Sequence, residues 1–217
     1  MRNHGLSITL AILFVISMGG QTLTGWYVFN EEQREHQQEE VGLVEYLRSG
    51  HFVEATAENW ESEFLQMAAY VLLTVFLFQR GSAESKKLDE AEPVDRDPRM
   101  FKTKPDAPWP VRRGGWILKI YQNSLSLAFL LLFVVSFALH AAGGTAQRNE
   151  EAMAHGGEIL SVGQFIRTSQ FWFESFQNWQ SEFLSLVAMV VLSIFLRQRG
   201  SPESKPVDAA HAETGSE

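Results

Sequence analysis

LSITLAILFVIS at 6–17 and LSLAFLLLFVVS at 125–136 are one apolar segment written twice, 119 residues apart, and that recurrence decides the fold. At the same offset Asn30-Glu31-Glu32 meets Asn149-Glu150-Glu151, NWESEFL (59–65) meets NWQSEFL (178–184), and QRGSAESK (79–86) meets QRGSPESK (198–205). Roughly 32 of about 85 aligned positions are identical without a gap, from end to end, which shared hydrophobicity alone does not produce. The chain reads as two tandem copies of one two-helix unit.

Each copy opens with an apolar run of about 20 residues, enough to cross roughly 30 Å of hydrocarbon at 1.5 Å per residue. This places spans at about 6–28 and 117–142. Each copy closes with a run of about 15 residues, 64–78 or 183–196, which covers only about 22 Å. Those helices must begin upstream, giving spans at about 60–79 and 179–197 with Trp60 and Trp179 at the interface. The expected architecture is an all-α membrane protein of four transmembrane helices. Residues 1–86 form the first copy, with an outer loop and interfacial helix at 30–58, and 116–205 form the second, with the matching segment at 149–177. Between them 87–115, carrying Pro93, Pro98, Pro105, Pro108 and Pro110, is a linker, and 206–217 is a tail. Arg2 ahead of an apolar stretch ending in Gly19-Gly20 resembles a secretory signal, but the segment recurs at 125–136, so a retained helix is expected.

A mean hydropathy of -0.10 beside 45% apolar residues hides a segregation of apolar runs and charged connectors. The absence of cysteine excludes disulfides, thiolate catalysis and cysteine metal sites, and a net charge of -8 argues against a nucleic-acid partner. Of the 18 lysines and arginines about 14 lie at Arg2, in 80–119 and after Leu196, against about four in the two long loops, at Arg34, Arg48, Arg148 and Arg167. Both termini and the linker are therefore expected in the cytoplasm, with acidic loops outside and the copies related by a pseudo-two-fold axis along the membrane normal.

Glu63 and Glu182 are the first candidates for chemistry, because a carboxylate about one turn inside a membrane helix is costly without a partner. Asn59, Glu63, Gln66 and Tyr70 share one stripe, which Asn178, Glu182 and Ser185 repeat. Arg48 and Arg167 are the expected partners of the two carboxylates, although both could instead be headgroup-level residues supported by the helix dipole. On the first helix of each copy Ser17 and Gln21 match Ser136 and His140, as a proton- or ligand-binding pair or as interhelical hydrogen-bond glue beside Gly19, Gly20, Gly143 and Gly144.

Glu32, His36 and Glu39 stand at i, i+4 and i+7, as do Glu151, His155 and Glu158, a spacing that could suit a divalent metal. Gly156-Gly157 would break the helix that spacing needs, so a solvated acidic loop is expected and no metal or other cofactor. QRGSxESK should terminate each second helix, with Gly81 or Gly200 as a left-handed cap, and its amides could form an anion nest. No Walker, dinucleotide, HExxH or nucleophile-elbow motif is present, so no enzyme activity is expected.

WESEFL (60–65), QRGSAESK, NEEQREH (30–36) and LRSGHF (47–52) resemble a bacterial family of small integral membrane proteins known only as a domain of unknown function. The resemblance implies an inner-membrane location and brings no activity. The expected role is a non-catalytic scaffold or accessory protein, whose partners are the lipid bilayer and a second copy or another membrane protein. The alternative is a small ion or solute channel or transporter with its site between the copies at the Glu63/Glu182 level.

Overall fold

The computed structural model describes residues 3–88 and 90–215, which leaves Arg2 and Glu217 outside the described residues. These residues are all-α, without a strand. The helices are α1 (Gly5–Glu35), α2 (Leu43–Tyr46), α3 (Gly50–Phe76), α4 (Trp109–Arg113), α5 (Gly115–Gln122), α6 (Ser124–His155), α7 (Val162–Phe165) and α8 (Ser169–Phe195), with two short 3-10 turns between α3 and α4. Element bounds recur at the 119-residue offset: α2 against α7, and α3 against α8.

α1, α6 and α8 are long and apolar enough to cross a membrane, and no residue of the most apolar window of α1 is buried. So much bare apolar surface marks a membrane protein, since lipid is the solvent that tolerates it. α3 has the 27 residues of α8 but carries Gln66, Ala68 and Tyr70 where α8 has Ser185, Val187 and Met189, which lowers its apolar character. The 117–142 run is interrupted. Asn123 closes α5 by donating from its side chain to the Lys119 carbonyl at 2.8 Å, and the membrane-length helix starts at Ser124.

Helix ends explain two sequence features. α6 stops at His155 because Gly156 takes φ +70°, and the matching residue after α1, Gln37, also has positive φ, at +59°. The i, i+4, i+7 metal spacing is thus broken before Glu39 and Glu158, as the glycines suggested. Gly81 and Gly200 do adopt positive φ, at +86° and +84°, yet they sit beyond the ends of α3 and α8 in a serine-closed turn. The Gln79 and Gln198 amides donate to Ser85 Oγ and Ser204 Oγ, each at 2.9 Å. These glycines shape a loop rather than cap a helix.

The chain divides into two compact units, 1–59 with 136–174 and 60–135 with 175–217, each drawing on both copies. In the first unit the loops after α1 and α6 fold back on their helices through asparagine. Asn30 donates to and accepts from the Val41 backbone at 3.1 and 2.8 Å, and Asn149 does the same with Leu160 at 2.8 Å each way. The core of this unit is Ala141, Phe165 and Phe171, with Phe137 and Ile166 packed against it.

In the second unit Lys205 is buried, its ammonium donating to the Ala210, His211 and Glu213 carbonyls at 2.8–3.1 Å. Lys86, its counterpart in the first QRGSxESK, pairs with Asp95 at 2.7 Å instead. The Gly81 amide donates to Thr214 Oγ1, Ala83 to Ser193 Oγ and Glu84 to Ser82 Oγ. With these donors engaged, the turn after Gly81 is no anion nest, and the expectation of one is corrected.

Candidate functional site

α3 begins with a glycine and α6 carries a Gly143-Gly144 pair, and in the first unit these small residues let two backbones nearly touch. A Cβ on Gly143 would lie 2.6 Å from the Glu54 nitrogen, and one on Gly50 would lie 2.5 Å from the Gln147 nitrogen. Any larger residue would force the helices apart. The close crossing sets Glu54 of α3 beside His140, one turn before Gly143–Gly144 on α6. Glu174, one turn into α8, completes the group, and one ligating atom from each of Glu54, His140 and Glu174 lies within 4.8 Å of the others.

His140 is fully buried, its ring stacked on Phe171 at 4.7 Å with a 27° interplanar angle. Phe171 is itself held edge-on by Phe165 and Phe137, so the imidazole has a fixed plane. Its Nε2 stands 3.4 Å from Glu174 Oε2, while Gln170 Nε2 donates to Glu174 Oε1 at 3.1 Å and holds the carboxylate. Glu54 lies ahead of the apolar run of its helix. Burial pushes its carboxyl up to about 7, and the charges of Glu174, Glu58 and Glu151 push the same way against an opposing pull from His140.

Glu54 and Glu174 open on a cavity of about 260 Å³ walled also by Glu32, Glu58 and Glu151 together with His51 and Gln147, with His140 buried behind them. Among the residues lining it there is no lysine or arginine. A second cavity of about 340 Å³ is lined by Glu32, His36, Glu150, Glu151 and His155, with the two histidine rings edge-to-face at 5.2 Å. The wall is strongly anionic, a place where protons or cations concentrate.

The residues singled out from sequence fall unevenly. His140 is at the centre of the cluster and Ser136, one turn earlier, is buried, whereas Ser17 is exposed and Gln21 reaches only Thr56 Oγ1 at 3.4 Å. Glu32, His36, Glu151 and His155 line the cavities, while Glu39 and Glu158 are exposed beyond the helix ends. Gly143 meets a neighbouring backbone, but nothing lies within 4 Å of a Cβ on Gly19 or Gly20.

Arg48 and Arg167 are exposed residues of the first unit, and Glu63 and Glu182 belong to the second. There Glu63 is exposed, and the buried carboxylate is Glu61, which accepts from Trp179 Nε1 at 2.9 Å. The stripe residue turned inward is Gln66, whose amide donates to the Glu182 carbonyl at 2.7 Å and to Ser185 Oγ at 2.8 Å. Tyr70 donates to a Glu84 carboxylate oxygen at 2.5 Å.

Sequence reasoning passed over Glu54 and Glu174 because it favoured residues present in both copies. Their counterparts are Phe173 and Ala55, and the counterpart of His140 is Gln21. Charged residues at positions where two otherwise similar copies diverge were the signal available.

The sequence pattern of a family described as "Domain of unknown function (DUF6766)" matches residues 1–216. No curated protein and no solved structure matches the chain.

Proposed function

The chain belongs to this family, and we propose that it is an integral protein of a bacterial inner membrane, crossing it four times as two tandem copies, and acting non-catalytically as a scaffold or accessory subunit. Three helices of membrane length support the location. The equal bounds of α3 and α8 at the 119-residue offset, with the paired Asn30–Val41 and Asn149–Leu160 clasps, support duplication and a fourth span in α3.

The observation that carries the role is the Gln66 amide. It spends both N–H groups on α8, at the Glu182 carbonyl and Ser185 Oγ, and Ser185 in turn donates to the same carbonyl at 2.7 Å. One residue of the polar stripe, Gln66, is thus used to join two helices, the use membrane helices make of polar side chains when they need only to associate, and this supports the scaffold reading.

Two measurements test this reading. Reporter fusions after Lys104 and after Glu217 are expected to behave as cytoplasmic, and fusions near Gln37 and His155 as extracytoplasmic; an outside signal from 87–115 overturns the four-span arrangement. In proteoliposomes the scaffold reading expects no proton or cation flux above protein-free vesicles. A flux abolished by Glu182→Gln would transfer the assignment to a small conductor.

A further inference from the structure

We propose that Glu54, His140 and Glu174 bind one divalent cation of the zinc class, entering through the acidic cavity of the first unit. The three side chains come from three different helices, α3, α6 and α8, and converge one ligating atom each within 4.8 Å. Such atoms are nearly close enough to share one ion, since nitrogen and oxygen ligands sit about 2.0–2.2 Å from zinc.

The donor set selects the ion. One imidazole nitrogen with two carboxylates suits zinc and its first-row neighbours, whereas calcium and magnesium prefer oxygen ligands throughout. The imidazole is pre-oriented. Phe171 fixes its plane and it is wholly buried, with Nε2 directed to the Glu174 side of the cluster. Gln170 holds the other oxygen of Glu174, the kind of outer contact that aims a ligating carboxylate.

An independent observation points the same way. Gln147, two turns beyond His140 on α6, lines the same cavity, and its Oε1 is fully buried without a hydrogen-bond partner. The same side chain donates its Nε2 to Glu151 Oε1 at 3.0 Å, and the wall of five carboxylates beside it lacks lysine and arginine, a shortage of positive charge that a dication relieves. The three ligands are absent from the corresponding places of the other copy, where Phe173, Gln21 and Ala55 stand, so one site per chain follows.

The test uses the full chain in detergent, stripped with EDTA and titrated calorimetrically with Zn²⁺, followed by the d–d spectrum of Co²⁺ in its place. Binding at one equivalent is expected, with a cobalt spectrum showing nitrogen ligation. Glu54→Gln, His140→Gln and Glu174→Gln should each weaken binding by more than about 100-fold, beyond the 10–100-fold typical of residues that only orient ligands. His36→Ala with His155→Ala should leave the affinity within about threefold. Each variant is first shown to keep a cooperative metal-free melting transition, whatever its midpoint, and the isosteric glutamines ensure that at least the carboxylate arms can be read. Absence of Zn²⁺ binding, binding unchanged in the glutamine variants, or binding lost with His36 and His155 overturns the site. The flux and topology measurements above are independent of this outcome.

Discussion

Gln21 and His140 occupy the same place, 119 residues apart, on the two long helices that open each half of the chain, yet their surroundings differ in kind. Gln21 makes a neutral contact to Thr56 Oγ1 at 3.4 Å, while His140 is sealed behind Phe171 and faces two carboxylates. The aromatic that plugs each outer loop shows the same divergence. Tyr46 lies against Phe29, Phe52 and His51, with its hydroxyl 3.4 Å from His51 Nδ1, whereas Phe165 packs on Phe171 in an apolar cluster. The place of Gln21 thus holds a neutral contact, while that of His140 gathers ionisable groups from both halves, Glu54 from the first and Glu174 from the second.

The comparison breaks hardest at the aromatic plugs. Phe165→Ala should cost about 3–5 kcal/mol by opening a cavity in the apolar cluster beneath the site, read as a fall in detergent melting temperature. Tyr46→Phe, which gives the first half the residue of the second, should cost no more than about 1.5 kcal/mol. Equal losses would show that the halves are packed alike after all. Next comes the helix crossing. Gly143→Leu meets backbone at Glu54 and should cost about 3 kcal/mol, against less than about 0.5 kcal/mol for Gly19→Leu, whose side chain enters open space.

The titration of Glu54 reports the charge gathered around His140. Its folded-state carboxyl is raised to about 7, above the ordinary value of 4.5, so the folded chain binds the proton more tightly than the unfolded one. The stabilisation is complete below about 4.5 and is lost as pH rises towards 7, by at most roughly 3 kcal/mol. In metal-free protein the melting temperature should therefore fall across this window, with Glu174, Glu58, Glu151 and His140 setting the size, and Glu54→Gln should remove most of the slope. A slope unchanged in that variant would show that other groups carry it. The smallest effect contrasts two neighbours in the second unit: Glu61→Ala removes the buried acceptor of the Trp179 indole and should cost about 1.5–3 kcal/mol, while the exposed Glu63→Ala should stay within about 0.5 kcal/mol.

Periodicity, length and repetition are properties of the chain alone, so the all-α class, the apolar helices and the stop at Gly156 could be read from it. A glycine with positive φ or an apolar run of bilayer length acts locally, whatever surrounds it. The break at Asn123 was less legible, because one asparagine within an otherwise apolar pattern does not disturb its hydropathy.

The site was only half legible. His140 stood out because a histidine in an apolar run is costly wherever it points. Glu54 and Glu174 did not, since each looks like one more acidic residue among the 26 of the chain, and neither recurs in the other copy. What gathers them is the close crossing at Gly50 and Gly143, which joins positions separated by about 90 residues along the chain. Sequence by itself determined that the chain is helical and which apolar segments are helices, because those depend on neighbours within a few turns; how far each extends it did not, since α1 runs on to Glu35, α3 begins already at Gly50 and α6 starts only at Ser124. Which carboxylate is buried, Glu61 or Glu63, and which acids share a cavity were decided only by tertiary packing, where one step of about 100° around a helix exchanges solvent for a neighbouring chain segment.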